Sequence, residues 1–380
     1  MKNDIRHILV IINPASGPAR AARNVEIFVE ELHNLGATIH SKHTRGITDA
    51  RDIATREGGR YDLVVACGGD GTLSEVVSGL LALDAPPPAG FYPSGSTCDV
   101  ARTFHLPTDP KKAARVVLFG RSFPVDIGTI SRDTPPVHPS FMQYLNTIQK
   151  QNHENEHSTN SSKAMTEPEF SNVSHESILK EHSFNNPARH VDDDMIDPAM
   201  LPRHFTYVAA FGAFTEVSYA TRRSLKKTFG HMAYVLTGMR SLRHIRSAST
   251  RVTLDDQDYS GDYLFGGLVN SSSIGGLVPL PNAVLDDGYF DAVLVTKPKS
   301  FRLLWRLVCR LLQGKEDPHI HRVPTRKAFF QFDEPMSFTV DGEYGGTRMT
   351  WSIENLPRAI ALRIPAESCA EPSATKLETR

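Results

Sequence analysis

Apolar residues fall into short unbroken runs, and between the runs into helical spacing. Ile8 to Ile12 is a five-residue aliphatic run that reads as a buried strand, stopped by Asn13-Pro14-Ala15-Ser16-Gly17. Val25, Phe28, Val29 and Leu32 then mark one face of a helix. A second strand starts at Thr38-Ile39-His40 and ends near Thr44, and Asp49 to Glu57 reads as helix. Leu63 to Ala66 is the next strand, followed by a glycine turn and by Leu73, Val76, Val77 and Leu80 at helical spacing. Beyond Pro86-Pro87-Pro88, Ala89 to Tyr92 is a short strand, Asp109 to Phe119 a helix and Phe123 to Gly128 a strand. Alternating strands and helices predict a parallel sheet with helices on both faces.

The periodicity fails from about Arg132 to His204. That segment is rich in Asn, Ser, His, Glu and Pro, is far longer than an ordinary loop, and reads as a disordered insertion at about 133–203. Order resumes at Phe205, with an apolar stretch from Tyr207 to Phe211 and a helix through Tyr219. Strands at Arg251 to Leu254, Asp262 to Val269, Ala292 to Thr296, Phe329 to Phe332 and Met336 to Val340 describe a mostly β second half. A last strand covers Ala359 to Ile364, and a polar tail follows.

Composition narrows the classes. The chain has 380 residues and a net charge of −1, enough length for two or three domains and no general reason to expect nucleic-acid binding. Its four cysteines, Cys67, Cys98, Cys309 and Cys369, are widely spaced, which argues against a zinc site or a disulfide framework and fits a reducing cytosol. The N-terminal apolar run is too short for a signal peptide, and no stretch reaches the ~18 apolar residues of a membrane span. Any membrane contact is expected to be peripheral.

Three turns of small residues follow predicted strands: Asn13 to Gly17, Gly68 to Gly71, and Ser94 to Thr97. Ligands of open α/β sheets sit beyond the carboxyl ends of the strands, so the turns point to one crevice. The second is the most informative. Gly68 and Gly69 allow a sharp turn, Thr72 and Glu75 have the spacing of a capping box, and a helix N-terminus facing the turn suits a phosphate. Asp70 lies in that turn, and a carboxylate beside phosphates needs a divalent cation between them. The local reading is a nucleotide site with Mg²⁺. Asp99 follows the third turn, Asp126 lies within the next strand, and two more acidic turns come later, at Asp286-Asp287-Gly288 and Asp341-Gly342-Glu343. Alone, each of these later turns reads more readily as a plain Asp-Gly turn than as a functional site.

Taken in order, these residues resemble the bacterial diacylglycerol kinase catalytic-domain family of soluble lipid kinases, relatives of sphingosine kinases. The matching segments are Asn13 to Gly17, Gly68 to Glu75, Ser94 to Arg102, Leu285 to Asp291 and Asp341-Gly342-Glu343, with the Asp126 strand in place between them. The Asp-Gly-Glu-Tyr-Gly-Gly form looks most like the soluble enzymes of Gram-positive bacteria. The resemblance implies an α/β plus β fold, with a three-layer α/β nucleotide-binding domain over 1–122 and a β-sandwich-like domain over 123–358 that carries the insertion. It implies a final strand at 359–366 returning to the first domain, and a flexible tail at 367–380. By resemblance, Asn13, Pro14, Ala15, Ser16, Gly17, Thr44, Gly68, Gly69, Asp70, Gly71, Thr72, Leu73, Ser74 and Ser96 contact ATP. Asp70, Asp99 and Asp126 form a network around catalytic Mg²⁺, while the carbonyls of Val284 and Tyr289 and the side chain of Asp287 hold a structural Mg²⁺. Glu343 is the general base, with Asp341 beside it. The implied partners are a membrane lipid substrate and a second copy of the chain, and the implied location is the cytoplasm at the inner face of the membrane.

The chain departs from the family pattern in two places. The third turn reads Gly95-Ser96-Thr97-Cys98-Asp99 where the family has Gly-Thr-x-Asn-Asp, and Ser74 replaces an Asn. Neither change removes an acid. Alternatives stay open: an NAD kinase-like enzyme, a non-catalytic nucleotide-binding regulator, or a kinase of a sphingoid base, phosphatidylglycerol or undecaprenol. For the membrane, Phe301 to Leu312 reads as a basic amphipathic helix. Arg302, Arg306 and Arg310 lie on one face, and Phe301, Leu304, Trp305, Val308, Leu311 and Leu312 make the apolar one. It is read either as a helix packed on the domain core or as one lying on an anionic membrane. Arg222, Arg223, Lys226, Lys227, Arg240 and Arg243 add basic charge upstream.

Overall fold

The aliphatic runs become strands whose two faces are buried against different helices. In the computed structural model, residues 5–17, 20–95, 98–131, 203–212, 247–274, 278–280, 283–298 and 300–366 are described. Strands β1 (His7–Ile12), β2 (Thr38–His43), β3 (Leu63–Gly68) and β4 (Ala89–Pro93) pair in parallel in the order β2-β1-β3-β4. Helices α1 (Arg20–Asn34), α2 (Asp49–Glu57), α3 (Asp70–Leu80), α4 (Asp99–Thr103) and α5 (Pro110–Phe119) fill the connections. Ile8, Val10, Leu63 and Val65 turn to one face, against Phe28 and Leu32 of α1 and Val117 of α5. Leu9, Ile11, Val64 and Ala66 turn to the other, against Ile53 of α2 and Leu73, Val76 and Leu80 of α3. Each such side chain contributes ~1.5–3 kcal/mol on burial, so a polar residue at any of these alternating positions would undo a layer contact.

The capping box expected at Thr72 and Glu75 is not formed. Gly69 precedes α3, so Thr72 already lies inside the first turn. Glu75 instead reaches across to α2, where its two carboxylate oxygens accept from the amides of Thr48 (3.1 Å) and Ala50 (3.2 Å). It caps the neighbouring helix rather than its own.

The second half comprises β5 (Arg121–Ser131), β6 (His204–Phe205), β7 (Val208–Gly212), β8 (Ala248–Leu254), β9 (Gln257–Asp258), β10 (Gly261–Val269), β11 (Ser273–Ile274), β12 (Val278–Pro279), β13 (Phe290–Thr296), α6 (Phe301–Leu312), β14 (Ile320–Thr325), β15 (Lys327–Val340) and β16 (Glu343–Ile364). Its antiparallel order is β14-β13-β10-β7-β15-β16, and β8 pairs with both β10 and β15. Phe205, Phe211, Phe290, Phe330, Phe338 and Trp351 fill the interior, with Phe338 and Trp351 stacked at 4.1 Å. This is the α/β plus β-sandwich architecture expected.

β16 joins the halves. The expected strand Ala359–Ile364 is the end of a 22-residue one, kinked by a register shift between Leu356 and Ile360, where Arg358 takes φ 51°. Leu362 pairs in parallel with Ala89 of β4. The buried guanidinium of Arg363 donates to the carbonyls of Val117 (3.0 Å) and Leu118 (2.9 Å), satisfying the end of α5.

The amphipathic helix forms as read, as α6, but most of its apolar face is not available to a membrane. Leu304, Val308 and Leu311, with Leu307, are buried in the domain core, while Trp305 stays 43% exposed. Arg306 and Arg310 both pair with the buried Asp317, at 3.3 and 3.7 Å, which pins the helix to the following turn. The insertion, the helix expected through Tyr219, the upstream basic residues, Ser96 and the tail lie outside the described residues.

Candidate active site

The three small-residue turns meet at the carboxyl ends of β1, β3 and β4. The amide of Asn13 donates to the carbonyl of Cys67 (2.9 Å), and its side chain donates to Thr72 Oγ1 (3.1 Å). Ser16 Oγ lies 3.2 Å from Ser94 Oγ. The amides of Ser94 and Gly95 both donate to the carbonyl of Gly68 at 2.9 Å. A β-carbon on Gly95 would fall 2.5 Å from Gly69 Cα, so only glycine lets the second and third turns touch. The result is a cradle of backbone and hydroxyls, with the first amides of α3 facing it, which is how proteins hold phosphate. Thr44 follows β2, its amide bonded to the carbonyl of Ile12 (2.9 Å).

Not every residue expected at the nucleotide presents its side chain there. Leu73 is core. Ser74 Oγ donates to the carbonyl of His204 (3.1 Å), and His204 Nδ1 lies 3.2 Å from Ser78 Oγ. These contacts tie α3 to β6 across the two halves. Burial, and then the neighbouring positive charge of Arg203, lower the His204 pKa to about 4.

Asp70 and Asp99 stand together. Asp70 is 6% exposed and accepts from the amides of Asp99 (2.9 Å) and Val100 (3.1 Å), while Asp99 is fully buried. Burial first, and then the neighbouring charge of Asp99, push Asp70 up to about 7 against the pull of the two amides. Cys98, between the turn and α4, occupies the left-handed region (φ 50°), which asparagine tolerates better. Its thiol lies 3.9 Å from the Gly68 carbonyl.

Glu343 faces this group from the other half. A β-carbon on Gly71 would lie 3.0 Å from Glu343 Cγ and 3.2 Å from Oε1, so the carboxylate rests against the glycine turn. Its chain is open to solvent at the crevice, yet the protein around it still pushes its pKa above the ordinary glutamate value. Asp341 plays a different part. Its carboxylate accepts four hydrogen bonds, from the amides of Thr206 (2.6 Å), Tyr207 (3.0 Å) and Val208 (3.0 Å) and from Thr206 Oγ1 (2.9 Å). It fixes the β6–β7 connection beneath Glu343.

Asp126 is held elsewhere. Its carboxylate accepts from the amides of Gly288 (2.6 Å) and Arg358 (2.7 Å), joining β5, the acidic turn and the β16 kink. It therefore sits with the Val284–Asp287–Tyr289 group rather than sharing hydrogen bonds with Asp70 and Asp99. Asp287 Oδ1 accepts from the amide of Tyr289 (3.0 Å), and the Arg326 guanidinium covers the Tyr289 ring at 4.5 Å.

Both carboxylate groups suit a hard cation. Asp70 and Asp99 are buried, adjacent oxygen donors. The carbonyls of Val284 and Tyr289 with Asp287 are likewise an oxygen-only set.

Comparison with known proteins decides the family. Residues 7–130 match the description "Diacylglycerol kinase catalytic domain", and residues 208–364 match "YegS C-terminal NAD kinase beta sandwich-like domain". The chain belongs to the diacylglycerol kinase catalytic-domain family. It is accordingly a kinase, a phosphotransferase with an alcohol acceptor. The diacylglycerol kinase of Staphylococcus saprophyticus is 27% identical over 360 residues, covering 94% of each chain. The diacylglycerol kinase of Bacillus subtilis is 26% identical over 370 residues, covering 95% of this kinase and 97% of the relative. A crystal structure of a diacylglycerol kinase from Bacillus anthracis superposes with TM-score 0.61 at 18% identity, over 96% of this kinase and 98% of that chain. Thr206, Tyr207 and His204 belong to the site's architecture, and no motif in the sequence marks them. Tyr207 opens an apolar stretch, a pattern that carries no sign of a polar role.

Proposed function

We propose that the protein transfers the γ-phosphate of ATP to the hydroxyl of diacylglycerol, with Mg²⁺, giving phosphatidic acid. The observation that carries this reading is Glu343 resting against Gly71, which sets a carboxylate base beside a phosphate cradle. Phosphoryl transfer needs a positioned nucleophile and neutralised phosphate charge, and a lipid hydroxyl is a poor nucleophile without a base. Asn13 to Gly17, Gly68 to Thr72 and the Ser94 turn hold the phosphates through backbone groups and hydroxyls. Asp70 and Asp99 would hold Mg²⁺, which would supply charge neutralisation to the phosphates. Val284, Asp287 and Tyr289 would hold a second, structural cation beside the turn anchored by Asp126. The retained acids and base speak for an enzyme over a regulator. In the test, purified protein, ATP and detergent-dispersed diacylglycerol yield phosphatidic acid with Mg²⁺, lose the product on chelation and regain it on adding Mg²⁺. Undiminished product after chelation would overturn the metal assignment.

A lipid acceptor requires contact with a bilayer. Among the described residues no helix is long and apolar enough to cross one; the contact proposed is peripheral. Of α6, Trp305 and Arg302 remain on the outer surface, an aromatic anchor beside a cation. Trp305→Ala should lower sedimentation with anionic vesicles severalfold and leave activity on detergent-dispersed substrate unchanged. Equal sedimentation of both proteins would remove α6 from the membrane contact.

A further inference from the structure

One face of α3 meets the second half of the molecule at both ends. Gly71, Ser74 and Ser78 recur at i, i+3 and i+7, which stacks them along that face. Gly71 meets Glu343, whose Cγ and Oε1 would lie 3.0 and 3.2 Å from a β-carbon there. Ser74 Oγ donates to the carbonyl of His204 (3.1 Å), and Ser78 Oγ lies 3.2 Å from His204 Nδ1. Backbone and ring of His204 are therefore both held by α3.

From His204 the contacts lead back to the base. His204 and Phe205 form β6, which pairs with Thr129 and Gly128 of β5. The Phe205 ring is fully buried and lies directly on Gly128, where no β-carbon would fit, so β6 is seated firmly in the second half. Thr206 follows, and its amide and hydroxyl donate to Asp341 Oδ2 at 2.6 and 2.9 Å. Only Gly342 separates Asp341 from Glu343. The contacts thus close a ring, from Gly71 through Glu343, Asp341, Thr206 and His204 back to α3 at Ser74 and Ser78. Further hydrogen bonds between the halves start from other helices. Arg363 of β16 meets the end of α5, and Thr103 Oγ1 of α4 lies 2.9 Å from Ser271 Oγ.

We infer that Ser74, Ser78 and His204 are positioning residues for the base. Their clasp fixes how closely the Asp341–Glu343 turn approaches the start of α3, and so where the Glu343 carboxylate stands over the phosphate cradle. This rests on the kinase reading above. Ser74 then serves the transfer step and not the binding of ATP. Without the two hydroxyls, the carbonyl and ring nitrogen of His204 lose their partners in a half-buried interface. β6 then shifts toward water and carries the Asp341–Glu343 turn with it. A misplacement of about 1 Å at a reacting group costs as much as a hundredfold in rate.

The experiment compares the wild type, Ser74→Ala/Ser78→Ala, Glu343→Gln and the triple variant on diacylglycerol in mixed micelles. Alanine favours helix, so α3 survives both serine changes. The serine pair should lower kcat about tenfold and leave the Kd for ATP within twofold. In the Glu343→Gln background the same change should cost less than twofold, because no base remains to be positioned. Hydrogen exchange gives a second readout that needs no acceptor. Peptides spanning 204–208 and 338–346 should exchange severalfold faster in the serine variant, with β1 and β3 unchanged. A kcat within twofold of wild type, an equal loss in both backgrounds, or unchanged exchange at 338–346 would each overturn the assignment. So would a raised Kd for ATP, which would make Ser74 a nucleotide contact. If the wild-type protein phosphorylates no lipid, the acceptor reading fails on its own, and hydrogen exchange alone decides the clasp.

Discussion

Glu343→Gln should lower kcat by about a thousandfold, within the range that general base catalysis supplies. The amide is nearly isosteric and keeps the contact with Gly71, but it cannot take a proton from the acceptor. Binding of ATP relies on the three turns, none of which the substitution touches, so the Kd for ATP measured by calorimetry should stay within twofold. The pH dependence follows from the sign of the shift. The protein packed around the carboxylate raises the Glu343 pKa above the ordinary glutamate value although the side chain is open to solvent at the crevice, and the base works only when ionised. The rate should therefore fall as pH drops through that raised pKa, at less acidic pH than an unperturbed glutamate would give. Retention of more than a few per cent of wild-type turnover by Glu343→Gln would remove Glu343 from the role of base.

Asp341→Ala should instead unfold the protein easily. The substitution leaves three backbone N–H groups and one hydroxyl without their acceptor inside the molecule. Removing one partner from a buried charged network costs about 3–5 kcal/mol. At roughly 2–4 °C per kcal/mol, the midpoint should fall by about 6–20 °C. Differential scanning calorimetry gives the answer. A directly catalytic Asp341 would leave the midpoint unchanged and remove turnover. The geometry predicts the opposite order of effects, with stability lost first and activity lost as a consequence of the displaced Glu343 turn.

These two residues stand two positions apart in one tripeptide, and their division of labour shows where the sequence stops being informative. The runs at Ile8 to Ile12 and Leu63 to Ala66 could be read directly because their information is local: unbroken apolar residues, then a turn of small ones. The crevice could be read for the same reason, since three such turns end three such strands. The ordered set of motifs then placed the Asp-Gly-Glu turn at the site, and the structure does bring Glu343 to Gly71. What could not be read were the contacts made across long separations. Asp341 meets its four donors 133–135 residues away, and Ser74 meets His204 at a separation of 130. No spacing rule distinguishes a serine that touches a nucleotide from one that ties two halves together. Glu75 makes the same point on a smaller scale, since its spacing from Thr72 fits a capping box while its carboxylate serves α2. On α6, periodicity found the apolar face but not what covers it.

The choice of acceptor is the centre of the account, and isotope transfer tests it most directly. The protein is incubated with γ-labelled ATP and Mg²⁺ and, in parallel, with diacylglycerol, a sphingoid base, phosphatidylglycerol, undecaprenol or NAD. Label should enter the organic phase as phosphatidic acid at least tenfold faster from diacylglycerol than from any other acceptor. Glu343→Gln should abolish that transfer. Label passing to NAD, or to no acceptor while ATP still binds, would contradict the account.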